Sequence, residues 1–138
     1  MSTPLDLLGR WRLERSIEDR RGDETLGVTG TTLLEATEDG AVRWHEEGVL
    51  RRPGAAPAEV SRTLLVVPPT PGGDDAWWVR FADGRPFHPW HPGADLEHPC
   101  GTDVYRGRVD LDLPARWRVR WTVTGPAKDY TMRTTCSR

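Results

Sequence analysis

The stretch ARWRVRWTV, residues 115–123, decides the fold. Trp117, Val119, Trp121 and Val123 alternate there with Arg116, Arg118 and Arg120. Successive side chains of a β-strand face opposite sides, so this order gives one apolar face and one charged face. Half-buried strands of that kind belong in an antiparallel sheet. The segment LLGRWRLERSIED, residues 7–19, repeats the pattern, with Trp11, Leu13 and Ile17 set against Arg10, Arg12, Glu14, Ser16 and Glu18.

Outward from these two segments, turn clusters recur at short intervals. They are RRGDE at 20–24, EDG at 38–40, RRPGAAP at 51–57, PPTPGGDD at 68–75, DGRP at 83–86, HPGADLEHP at 91–99 and GPA at 125–127. Segments rich in β-branched and aromatic residues lie between them, and helical periodicity is nowhere convincing. This spacing is that of an antiparallel meander. An open sheet of so many strands would leave two exposed edges, which closure removes. The expected architecture is a single all-β domain over residues 1–138, an antiparallel up-and-down β-barrel of roughly 8–10 strands. Its interior has room for side chains or one small ligand.

With 29% charged residues and a net charge of -2, the chain has no basic excess that would suit a nucleic-acid partner. No apolar run approaches a membrane span, and MSTPLDLLGR lacks the apolar centre of a signal peptide. The expectation is a cytoplasmic protein with no membrane partner. Cys100 and Cys136 are then expected as free thiols rather than a disulfide.

Hairpin parity adds a face for the polar residues, because directly opposed residues across an even loop share a side. In AWWVRFADGRPFHPW, residues 76–90, a two-residue turn at Asp83-Gly84 sets Val79 opposite His88 and Trp77 opposite Trp90, which puts His88 inside. An even loop around Gly125-Pro126 puts Lys128, Tyr130 and Met132 on the face of Trp121 and Val123, with Arg133 outside. In CGTDVYRGRVDL, residues 100–111, Arg106 and Arg108 mark the outer face, so Asp103, Tyr105 and Val109 face in. Alternation groups Glu46 with Trp44, and Arg62 with Leu64 and Val66.

The expected interior is therefore polar: Glu46, Arg62, His88, Asp103, Tyr105, Lys128 and Tyr130. Unpaired buried charge costs several kcal/mol or more, so these groups must pair, bind water or hold something. One resolution pairs Arg62 with Glu46 and Lys128 with Asp103 near open ends. The other is a polar ligand cavity with aromatic walls. Lys128 is the chain's single lysine beside eighteen arginines, and its compact charge suits a small cavity better than a forked guanidinium does.

Gly9-x-Trp11 on the first strand, with Arg133 on the last, resembles the barrel closure of the calycin superfamily, which includes lipocalins, fatty-acid-binding proteins and nitrobindin-like barrels. The resemblance implies that Trp11 packs across the barrel floor and that Arg133 covers it. A further resemblance runs along nearly the whole chain. The order LLGRWRLERSIED, WHEEGVL, FADGRPFH, HPCGTDVYRG, W-x-x-x-W and GPAKDY is similar to a family of small bacterial proteins known only as a domain of unknown function. It implies a calycin-like barrel and no particular ligand or reaction.

His88, His91, His98 and Cys100 fall close together, but H-x-x-H-x6-H-x-C fits no closed zinc site, and no metal is assigned. Haem is not assigned either, since the nitrobindin resemblance implies a ligand histidine near the C-terminus, where this chain has none. No cofactor is expected. Cys100 with His98 is a conceivable nucleophile and base, and Lys128 with Tyr130 and Asp103 a conceivable proton-transfer or Schiff-base group if burial lowers the lysine pKa. The leading expectation is a barrel that binds a small amphipathic, anionic ligand. Lys128, Arg62 and His88 would hold the anion, Tyr105 and Tyr130 would donate hydrogen bonds, and Trp faces would cover the body. The alternative is a cofactor-independent lyase or isomerase using His88, Asp103, Tyr105 or Lys128. A third class is a protein-interaction module presenting an exposed Trp78 or Trp90.

Overall fold

A computed structural model describes residues 2–73 and 75–138. Ten antiparallel strands follow a short 3-10 turn at Pro4–Leu7. They are β1 (Gly9–Asp19), β2 (Glu24–Ala36), β3 (Val42–Arg51), β4 (Ala58–Val67) and β5 (Trp78–Phe81). The second half contributes β6 (Pro86–Pro89), β7 (Asp95–Cys100), β8 (Asp103–Asp112), β9 (Arg116–Thr124) and β10 (Asp129–Ser137). One sheet holds all of them in the order β6-β5-β4-β3-β2-β1-β10-β9-β8-β7. Every neighbour is sequential except β1 and β10, which join the two ends of the meander with Arg12 opposite Ser137 and Asp19 opposite Tyr130. The sheet curls into a nearly closed up-and-down barrel, as the alternation predicts, and its seam lies between β6 and β7.

One end of the barrel is plugged. Leu7 from the 3-10 turn is fully buried, and Trp11 Nε1 donates to its carbonyl at 2.8 Å. Trp117 meets Trp11 edge-on at 6.1 Å and Trp44 at 5.2 Å between ring centroids, a geometry that aromatic quadrupoles favour. The arginine over Trp11 is Arg138, whose guanidinium stands 3.7 Å from the ring centroid and donates to the Leu8 carbonyl at 2.8 Å. This corrects the placement of Arg133, which lies opposite Ser16 on the outer wall and pairs with Glu18 at 3.6 Å. Gly9, at φ +115, lies directly beneath this arginine: a Cβ there would stand 2.8 Å from an Arg138 nitrogen.

The β5–β6 hairpin differs from the expected two-residue turn. Phe81 N–H bonds the Arg85 carbonyl at 2.9 Å, and a bulge follows between Val79 and Arg80. The odd loop and the bulge offset one another, so Val79 still lies opposite His88. The extra residue is Phe87, which turns inward beside His88 and stacks between Phe81 at 4.7 Å and Trp121 at 4.9 Å. Trp90, offered above as an exposed docking residue, is buried, and its backbone N–H bonds the Trp77 carbonyl at 2.7 Å. Among the described residues no helix is long and apolar enough to cross a membrane.

Candidate functional site

The open end of the barrel carries the polar side chains. Glu46 from β3 is buried at 3% exposure, and two guanidiniums close on it. Arg15 from β1 gives its Nη2 to both carboxylate oxygens at 3.0 Å, while Arg62 from β4 meets Oε1 at 3.0 Å from Nη2 and 3.1 Å from Nε. Arg15 Nε also donates to Thr134 Oγ1 at 2.8 Å, and Trp44 Nε1 reaches Glu46 at 3.3 Å. The register explains the pairing, since Glu46 stands directly opposite Arg62. Burial by itself would raise the Glu46 pKa, but the charges of Arg62 and Arg15 outweigh it and hold the carboxyl below its ordinary range. Burial pulls the Arg62 guanidinium below its usual value, Glu46 opposes that, and Arg15 adds its repulsion.

Arg15 was not singled out in the sequence, although the face it takes was legible there. It continues the Trp11, Leu13, Ile17 parity and therefore faces in, but a charged residue in an apolar series breaks the pattern it belongs to. Two arginines on one carboxylate leave one positive charge in excess. A gap of about 60 Å³, lined by Leu13, Arg15, Val28, Glu46 and Arg62 among others, adjoins them. That volume holds about two waters, or the head of an anion, and is far below that of a ligand-sized cavity.

Across the mouth, Lys128 Nζ bonds Asp103 Oδ2 at 3.0 Å and stands 5.9 Å from the centre of the Tyr105 ring. Tyr130 interacts with Tyr105 and feels the charges of Lys128 and Arg62, which links the two halves of the rim. Burial first, then Tyr105, pushes the Tyr130 phenol up to about 12, so it remains a donor. The Lys128 ammonium is raised, chiefly by its bond to Asp103 and then by Tyr105. This corrects the desolvated, low-pKa lysine that a Schiff base requires, because Lys128 is 43% exposed and salt-bridged. Both pairings that the sequence allowed, Arg62 with Glu46 and Lys128 with Asp103, are therefore present.

His88 lies under the same rim at 3% exposure, against Trp121 at 5.2 Å. Its Nδ1 is 2.8 Å from the Pro89 carbonyl, which can only accept, so Nδ1 carries the proton and Nε2 is the acceptor. Burial pushes its pKa down to about 4; the Pro89 carbonyl opposes this and the charges of His98 and Arg62 add to it. A histidine kept neutral by the fold stabilises it above the unfolded pKa and ceases to do so as pH falls. Stability therefore declines between about pH 6.5 and pH 4, by up to roughly 3 kcal/mol. Urea unfolding at a series of pH values checks this, and His88→Leu removes that portion of the slope.

His98 packs against Phe87 at 5.3 Å, and Cys100 is exposed. Among the described residues no three His, Cys, Asp or Glu side chains gather as a metal site. Burial pushes the Cys136 thiol up to about 11, beside Thr32 at 3.5 Å, so it is inert.

A nearly closed ten-stranded up-and-down β-barrel with a plugged floor and a charged mouth is the class of protein defined by these observations. The chain belongs to the Family of unknown function (DUF6314), whose model matches residues 7–138. No curated protein matches it. Among solved structures it is similar to the S-type phycobiliprotein lyase CPES from Guillardia theta, at 12% identity and a TM-score of 0.68, over 97% of this chain and 89% of that one. It is also similar to a redesigned β-barrel, mFAP0, bound to DFHBI, at 16% identity and a TM-score of 0.51, over 96% and 99% of the two chains. A de novo designed fluorescence-activating β-barrel matches at 12% identity and a TM-score of 0.50, over 100% of this chain and 99% of that one. At these identities the likeness is one of fold.

Proposed function

We propose that the protein binds a small, amphipathic anion at the open mouth of the barrel. The observation that carries this reading is the Arg15–Glu46–Arg62 cluster, a buried carboxylate with one guanidinium more than it neutralises. A carboxylate or sulfonate head would complete the charge balance at Arg62, the more exposed of the two arginines at 37% against 11% for Arg15. Tyr130 and Tyr105 would donate to the head or to a polar substituent, and His88 Nε2 would accept. Lys128, neutralised by Asp103, would offer a hydrogen-bond donor at the rim. The body would lie over the ring cluster of Phe87, Tyr105 and Trp121, with movement of the Arg62 side chain making room. That barrels of this shape hold small molecules is supported by the redesigned neighbour with DFHBI bound.

The ligand carrier is favoured over a lyase or isomerase by the same side chains. His88 is neutral and buried, and Lys128 and Asp103 neutralise one another, so these three side chains do not set a free acid against a free base. A cytoplasmic setting agrees with the two free cysteines. The test is a native mass spectrum of the protein incubated with a panel of aromatic and aliphatic carboxylates. Wild type is expected to retain an anionic member that Arg62→Met loses, with the ligand mass unchanged on release. Equal retention by Arg62→Met contradicts the reading, and a ligand released with altered mass replaces it by the enzyme.

A further inference from the structure

At the mouth, β4 runs past the end of β5. It begins at Ala58, but its pairing with β5 starts only at Leu64, opposite Phe81. There β5 ends, and the chain turns back over residues 82–85, all of them exposed. Phe81 gives its N–H to the Arg85 carbonyl, on the side away from β4, so it is Arg80, opposite Leu65, that faces β4. A residue in an antiparallel ladder points its N–H and C=O to one side, and its alternates point the same way. Leu65, Thr63, Ser61 and Glu59 therefore turn their backbone groups towards the β5 side. Among the described residues, those of Ser61 and Glu59 find no partner there.

The side chains at this bare edge are two-faced. Val60 and Arg62 share the inner face, opposite Gly48 and Glu46. Gly48, and Gly30 beyond it, have no side chain to cover Val60, which is 37% exposed. Arg62 has Glu46 as its one ion-pair partner among the described residues, and Asp83 on the neighbouring turn is taken by Arg85 at 2.7 Å. An inward charge on an edge strand repels most incoming strands. It attracts one that brings a carboxylate to the same place.

We propose that the edge of β4 over residues 58–62 receives an extended peptide as an added antiparallel strand, with an acidic side chain opposite Arg62 and an apolar one opposite Val60. This rests on the anion reading of the mouth and names the class of anion. The peptide backbone would bond Ser61 and Glu59, and its alternate side chains would give specificity. In antiparallel register the apolar residue follows the acid by two positions. Glu59 is exposed on the other face, so the peptide residue opposite it is not acidic.

The probe is an acetylated peptide, glutamate-threonine-valine-threonine-threonine, carrying a fluorophore in place of its terminal carboxylate. Wild type is expected to bind it roughly tenfold more tightly than the form with glutamine for glutamate. N-methylation of the threonine that follows the acid, which would face Ser61, is expected to cost up to about tenfold. Ser61→Pro removes only an outward N–H and leaves the ladder with β3 intact. It is expected to bind parent and N-methyl peptides alike, and an aromatic carboxylate as wild type does. Should Ser61→Pro fail to fold, the N-methyl peptide on wild type still decides. Equal binding of the N-methyl or the glutamine form overturns the proposal, and if the aromatic carboxylate still binds, the anion reading of the mouth survives alone. Binding of neither peptide nor carboxylate overturns both. Self-association of wild type that Ser61→Pro abolishes also overturns it, since a second copy then occupies the edge.

Discussion

Glu46→Leu is expected to destabilise the barrel by about 3–5 kcal/mol, the usual cost of leaving a buried charge without its partner. The substitution removes the one carboxylate that both Arg15 and Arg62 contact and leaves two guanidiniums repelling each other. Arg62→Met is milder, because Arg15 still holds Glu46 through both oxygens. Urea unfolding followed by tryptophan fluorescence measures the two. The pH dependence carries the same signature. A carboxyl whose folded pKa is depressed stabilises the fold above its unfolded pKa and stops doing so as pH falls through the folded value. Wild type is thus expected to lose stability below the ordinary carboxylate range through Glu46, and Glu46→Leu to lack that part of the acid slope. An unchanged urea midpoint in Glu46→Leu would show that the cluster is a solvated surface pair.

Trp117→Ala is the second large effect, at about 3–5 kcal/mol. Trp117 is fully buried between Trp11 and Trp44, so truncation opens a hole where three indoles meet. Its Nε1 is buried without an acceptor, and removing the indole forfeits no hydrogen bond. Trp117→Phe is therefore expected to retain most of the stability that Trp117→Ala loses. Trp11 is different, since Trp11→Phe also deprives the Leu7 carbonyl of its donor. Thermal unfolding of the three variants separates packing from hydrogen bonding.

Alternation told which face each strand buries, because period two is a local property. It placed Tyr130 with Val123 and Met132 with Trp121, pairs that the even loop after Thr124 produces. Height along a strand is not local. Arg133 has the outer parity suited to a cover for Trp11, but the stagger of β1 against β10 sets it beside Ser16, five residues from Trp11 and about 16 Å along the strand. Arg138 reaches the ring instead. Phe87 was missed for a related reason, since a bulge inserts one residue without a mark in the sequence. Of the site, the pairs Arg62–Glu46 and Lys128–Asp103 were legible from register and charge. The second arginine on Glu46 was not, because it arrives from β1, two strands away, through barrel curvature that parity does not describe.

The most direct measurement is calorimetric titration of wild type and Arg62→Met with an aromatic carboxylate and with its neutral carboxamide. If the excess guanidinium at the mouth holds an anionic head, the carboxylate binds wild type about tenfold or more tightly than the carboxamide does. Arg62→Met then binds the two alike. Equal affinity of wild type for both compounds, or a preference for the carboxylate that survives Arg62→Met, would contradict the account.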